Sequence, residues 1–174
     1  MAAVIAAATM LGSCTSSSPA TGHALRAEGP PAVGLLGLPK ARIGETYRFA
    51  FPLFVNTSRT TVRITSFHLD NVPAGAQVTG YALYSMKETN GYILESRDSD
   101  RDTPGSPNPA KHPDHAGKPI AIKSHGDSGD YYAMVKVKVV GHITKHLSGC
   151  RVNYTQGGDQ YTQTVQCEYA LDMK

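Results

Sequence analysis

Cys150-Arg151-Val152-Asn153-Tyr154-Thr155-Gln156 and Gln160-Tyr161-Thr162-Gln163-Thr164-Val165-Gln166-Cys167, separated by Gly157-Gly158-Asp159, form the stretch whose reading decides the fold. Both arms are rich in Thr, Val and Tyr, which suit a pleated, half-buried surface, and the glycines between them supply a turn. A two-residue turn at Gly158-Asp159 with glycine first, as type II′ requires, sets Val152 against Val165 and Cys150 against Cys167. Alternation then puts Cys150, Val152 and Tyr154 on one face and Arg151, Asn153 and Thr155 on the other. Facing cysteines favour a disulfide over a pair of metal-binding thiols, and closing a loop of this length stabilises by roughly 3 kcal/mol in the chain-entropy model.

Outward from this hairpin, strand periodicity runs back to Gly44 with no convincing helical pattern. Tyr131, Ala133, Val135, Val137 and Val139 alternate with Lys136 and Lys138 on the water side. Tyr47, Phe49, Phe51, Leu53 and Val55 alternate through Pro52, which cannot donate to a ladder and therefore marks an edge or a bulge. Val62 and Ile64 open a strand whose apolar parity switches to Phe67 and Leu69, which predicts a bulge near Ser66. Turns are read at residues 56–59, at Val72-Pro73-Ala74-Gly75 and at Asn90-Gly91. Residues 97–118 hold four of the eleven prolines and a balanced set of charges, the pattern of a long flexible loop. Ile120 and Ile122 start a short strand. The expectation is an all-β chain, an antiparallel β-sandwich of about 7–8 strands.

The whole chain has 174 residues, 40% hydrophobic and 18% charged, with no tryptophan. The length excludes a (β/α)8 barrel, which takes more than ~200 residues, and the hydrophobic fraction excludes wholesale disorder. A net charge of +3 scattered along the chain gives no nucleic-acid footprint.

The first residues, Met1 to Gly12, are alanine-rich, apolar and uncharged, and too short to span a ~30 Å hydrocarbon core as a permanent helix. Leu11-Gly12-Ser13-Cys14 resembles the bacterial lipobox, in which a leucine and two small residues precede the cysteine that is acylated and becomes the new N-terminus. No basic residue precedes Arg26, a departure from the usual positively charged opening of a signal. The resemblance implies a helical signal peptide over 1–13, lipidation (palmitate) at Cys14, and a location at the extracytoplasmic face of a bacterial cell membrane. It also accounts for the odd cysteine of three, leaving Cys150 and Cys167 to pair in an oxidising compartment. Residues 14–41 are rich in Ser, Gly and Pro and read as a disordered tether, with an apolar patch at residues 33–38 that can dock on the domain edge. The folded domain is then 42–174.

Gly44-Glu45-Thr46-Tyr47, the Asn56-Thr57 turn and Thr61-Val62-Arg63-Ile64 are similar in style to small actinobacterial-type lipoproteins carrying a bacterial Ig-like domain. That resemblance covers about residues 43–172. It implies an Ig-like sandwich and a surface location, and no activity. The buried tryptophan of antibody domains is missing, and both cysteines lie in one hairpin instead of bridging two sheets.

Three motifs bear on chemistry. Gly126-Asp127-Ser128-Gly129 copies a serine-protease nucleophile loop, but no histidine stands in a matching context, so a plain turn is expected. Five of the seven histidines lie between His112 and His146; His112, His115 and His125 form the candidate set for Zn or Cu, against the reading as solvated loop side chains. His142 and His146, four apart, would stand ~13 Å from each other in a strand, too far to share a metal. Nine tyrosines against four phenylalanines suit half-buried sheet positions or a recognition surface. The sequons at Asn56 and Asn153 are read as turn and strand residues. The functional expectation is a non-enzymatic, lipid-anchored module that binds an unknown protein or cell-envelope ligand or serves envelope structure. The alternative is an extracytoplasmic metal-binding protein.

Overall fold

The computed structural model describes residues 18–103, 105 and 107–173. The expected signal peptide and Cys14 lie outside them. The elements are β1 (Ala20–Thr21), β2 (Leu25–Glu28), a one-turn helix α1 (Pro30–Val33), β3 (Leu35–Pro39), β4 (Thr46–Ala50), β5 (Leu53–Asn56), β6 (Val62–Asn71), β7 (Ala76–Ser85), β8 (Glu95–Arg97), a 3-10 turn at Pro109–Lys111, β9 (Ile120–Ile122), β10 (Tyr131–Val139), β11 (Leu147–Gln156) and β12 (Asp159–Asp172).

The chain is mostly β, in several sheets. One runs β1-β12-β11-β6-β9, with β3 also on β12; a second runs β7-β10-β4-β8; β2 and β5 form a third. The two larger sheets share one core. Tyr47, Phe49, Val135 and Val137 of the second, with Phe51 just beyond β4, face Ile64, Val152, Tyr154 and Tyr169 of the first, all at most 1% exposed. Phe49 stacks on Tyr169 at 5.0 Å between ring centroids, and Tyr169 Oη donates to the Ala50 carbonyl at 2.8 Å.

Pro52 acts as anticipated, with a larger consequence. The chain leaves the second sheet after Ala50 and pairs β5 with β2, so one expected strand becomes two. The parity switch in β6 is also present. Tyr154 faces Ile64 and Asn153 faces Ser66, which leaves Thr65 as the extra residue.

The hairpin forms with its faces as read but in another register. Gly157 and Gly158 take the turn, with φ of 62° and 99°, the two left-handed residues of a type I′ turn, where Gly158-Asp159 in type II′ was expected. The strands therefore slide by two residues. Val152 faces Gln163, Cys150 faces Val165, and the period of two preserves inside and outside. An irregularity between Ser148 and Cys150, where Gly149 has φ 77°, brings Cys167 diagonally beside Cys150, and the disulfide closes across a Cα separation of 5.7 Å.

Two other expectations need correction. The segment 14–41 is not a tether over its described part: β1 and β3 add to β12 as parallel strands, Ala20 opposite Tyr161 and Gly37 opposite Ala170. Gly22 is what permits this approach, since a Cβ there would sit 2.0 Å from Tyr154 Oη, the hydroxyl that accepts from the Ala24 amide. Over its described residues the segment 97–118 is also built into the fold. Its Asn108 is buried, and its side-chain amide donates to the carbonyls of Arg97, Asp98 and Asp100. With residues 86–96 it covers the outer face of the second sheet, where Ala50, Ala82, Tyr84, Tyr132 and Met134 form a second small core. Arg48, on the outer face of β4, is consequently buried and paired to Asp98 at 2.9 Å.

Candidate functional site

The two larger sheets are closed on one side and open on the other. On the open side, β6 and β7 are consecutive strands in different sheets, and β9 covers only the Val62–Ile64 end of β6. The bulge at Thr65 turns Phe67 toward the gap, where it meets Phe51 edge-on at 5.2 Å. Tyr81 of β7 meets Phe51 at 5.9 Å and His68 at 5.8 Å, also edge-on. The rings of Phe67, His68 and Tyr81, with Ile64 and Leu83, line a cavity of about 220 Å³ whose rim is residues 116–118, and Phe51 packs behind them.

Its polar groups are few and, apart from Lys118 at the rim, uncharged. Burial, reinforced by the Arg151 guanidinium, pushes the His68 imidazole below its ordinary value, although the nearby Asp70 opposes the shift. Asn153 Nδ2 lies 3.3 Å from His68 Nε2, and as that amide can only donate, the imidazole accepts there and carries its proton on Nδ1. Burial likewise raises the Tyr81 phenol, so it keeps its proton while its oxygen accepts from the Leu69 amide at 2.9 Å. Lys118 is the one charged group among the lining residues.

The rim is held by Asp114. One of its oxygens accepts from the amides of Leu83 and Ala116, the other from Lys136 Nζ, each at 2.9–3.0 Å. Burial alone would raise this carboxyl, but the ammonium and the two amides outweigh it and hold it below its ordinary value. The His115 amide donates to the Leu83 carbonyl, and the His115 ring packs edge-on against Tyr131 and pairs with Glu88 at 2.7 Å. Residues 114–118 thus form a strap along the free edge of β7. A second hollow, of about 320 Å³, continues beyond it between Pro119 and Tyr131.

The structure does not bring the three histidines together. His112 faces Asp102 at 3.9 Å, His115 pairs with Glu88, and His125 is an exposed turn residue with φ 56°. Among the described residues, no group of three or more His, Cys, Asp or Glu is placed to hold a metal ion. Ser128 is buried, its Oγ accepting from the Phe54 amide at 3.3 Å and its own amide donating to the Phe54 carbonyl, which makes it a staple for β5. The seam residues His68 and Tyr81 and the strap residue Asp114 were not singled out by sequence reasoning. The parity switch at Phe67 was the available signal for the seam. Nothing local marks Asp114, because its partners on β7 and β10 are distant in sequence.

No family model and no curated protein matches the chain. Among solved structures, the VesB protease of Vibrio cholerae is similar to it with a TM-score of 0.34 and 11% identity, over 80% of this chain and 30% of the protease chain. The yeast GGA1 GAE domain is similar with a TM-score of 0.30 and 13% identity, over 71% of this chain and 78% of that one. The chain thus spans less than a third of the protease it resembles, and likenesses of this size carry no functional argument. Among the described residues no helix is long and apolar enough to cross a membrane.

Proposed function

We propose that this chain is a non-enzymatic, lipid-anchored module of the extracytoplasmic membrane face, an Ig-like β-sandwich that binds a small apolar ligand or an apolar side chain of a larger one in the seam between β6 and β7. The observation that carries the binding reading is the cavity itself: aromatic walls, a neutral imidazole and phenol for orientation, and a strap fastened by one carboxylate. The lipobox-like Leu11-Gly12-Ser13-Cys14 supports the anchoring, and the Cys150–Cys167 bond suits an oxidising compartment.

The binding is tested by titrating the full chain with N-phenylnaphthylamine, an uncharged fluorescent aromatic. Fluorescence rises on binding to the wild type and is lost in Ala116→Trp, which fills the exposed rim without touching the core. An equal response in both proteins removes the seam as the site. Palmitate labelling lost in Cys14→Ala supports the anchor, and an unlabelled, uncleaved product overturns it.

A further inference from the structure

We propose that the end of the domain formed by the β5–β6 loop, the residues after β9 and the β11–β12 turn rests on the phospholipid headgroups of the anchoring leaflet, with the seam held upright beside it. This inference rests on lipidation at Cys14 and adds an orientation to it.

The argument begins with reach. Four peptide steps separate Cys14 from Ser18, and at ~3.3–3.6 Å per residue they span at most about 14 Å. Ser18 leads directly into β1, which runs parallel to β12 with Ala20 opposite Tyr161, two residues from the start of that strand at Asp159. The chain therefore leaves the lipid beside the Gly157-Gly158 turn. A tether reaching to residue 41 would have let the domain tumble; a stalk this short holds one end down.

Three further segments meet at the same end. Gln156 Nε2 donates to Ser58 Oγ and Thr60 Oγ1, Ser124 Oγ donates to the Ser58 carbonyl, and the Asn56 amide donates to the Gly126 carbonyl. The exposed charges here are Arg59, Arg63 and Lys123 against Asp127, Asp130 and Asp159, so they balance, and the contact follows from reach; the basic side chains of Arg59 and Lys123 stand beside the turn that the stalk leaves from. The far end is no less basic, with Lys40, Arg42, Arg97, Lys138 and Lys145 against Glu45, Asp98 and Asp172, so charge does not separate the two ends and the stalk does. The far end stands off by the length of β12, whose 14 residues at ~3.3 Å each extend about 45 Å. Val140, half exposed and bonded through its amide to the Gly75 carbonyl, belongs to that far end.

The absence of native tryptophan gives a silent background for the test. The full chain, made in a bacterium that processes lipoproteins, is reconstituted in vesicles of phosphatidylethanolamine and brominated phosphatidylglycerol, carrying either Thr61→Trp or Val140→Trp. Bromine should quench the fluorescence of the Thr61→Trp protein and leave that of the Val140→Trp protein unchanged. If Thr61→Trp does not fold, Gln160→Trp probes the same end. Adding Arg59→Glu and Lys123→Glu should reduce the quenching by roughly twofold or more. Flotation with the vesicles but equal quenching at both ends overturns the orientation while leaving the anchor standing, and quenching unchanged by charge reversal overturns the headgroup contact. A chain that does not float overturns the anchor and the orientation together.

Discussion

The closed side of the molecule and the open seam solve the same problem with different bonds. On the closed side, β3 lies against the β12 edge by main-chain pairing from Leu35 to Pro39, and also reaches the second sheet, where the Gly37 amide donates to the Glu95 carboxylate and Arg97 donates to the Pro39 carbonyl. On the open side, the free edge of β7 meets the strap through the two Leu83 backbone groups, one of them satisfied by an Asp114 side chain. A ladder of backbone bonds can open only together, whereas a strap pinned by the Asp114 carboxylate, one backbone bond and the His115–Glu88 pair opens locally. On the binding we propose, the difference would make the seam the side from which a ligand enters without unfolding the core.

The largest test of this contrast lies on the closed side. Cys167 fastens β12, the strand that carries both added strands, so replacing Cys150 and Cys167 together by alanine should cost about 3 kcal/mol. Thermal unfolding with and without reductant reads this: reductant should lower the wild-type midpoint toward that of the variant and leave the variant unmoved. Gly22→Ala comes next. Its Cβ would collide with Tyr154, so the ring must leave its stack on Tyr161 and its bond to the Ala24 amide, at a cost of about 2 kcal/mol by denaturant unfolding. Little or no loss would mean that β1 contributes nothing to the sealed edge.

Asp114→Asn should cost less globally, about 1 kcal/mol, while Leu83 and Ala116 amides exchange faster than the rest of the β7–β10 ladder. Uniform acceleration across β7 would break the distinction between strap and ladder. Because the Asp114 carboxyl is held below its ordinary value of ~3.9, its contribution is fully present above that pH and disappears as pH falls through the folded value. In wild type the Leu83 and Ala116 amide resonances should shift together over that acid range, and in Asp114→Asn they should stay flat.

How far the sequence could be read follows the same division. Strands whose apolar residues alternate and whose turns carry glycine or proline were legible, because the signal is local: the β10 alternation, the Pro52 break and the Thr65 bulge all stand within a few residues of where they were expected. The hairpin register was missed by two residues because two adjacent turns, Gly157-Gly158 and Gly158-Asp159, each satisfy glycine's preference and keep the same faces inward. The strands β1 and β2 were missed because nothing in residues 18–28 alternates; β1 depends on Tyr154 and the β12 edge, more than a hundred residues away, and β2 on β5, while β3 was anticipated only as an apolar patch docking on the domain edge, where it in fact pairs with β12. Asp114 and Arg48 were missed for the same reason, since their burial is created by a segment that folds back over the second sheet.

The smallest expected effect tests the closed side where it meets the second sheet. Glu95 stands on the edge strand β8, opposite Phe49, with one carboxylate oxygen buried and unpaired among the described residues. Burial raises this carboxyl, and the Gly37 amide only partly offsets it. A raised folded pKa contributes stability that is fully present below the ordinary glutamate value of ~4.3 and is lost as pH rises through the folded value. Glu95→Gln keeps an oxygen for the Gly37 amide and removes the charge. The variant should therefore match or slightly exceed wild type in urea unfolding at neutral pH, and the difference should vanish below pH ~4. A loss at neutral pH would instead mean that the ionised carboxylate holds β3 against β8, and that the closed side, like the seam, depends on a side chain.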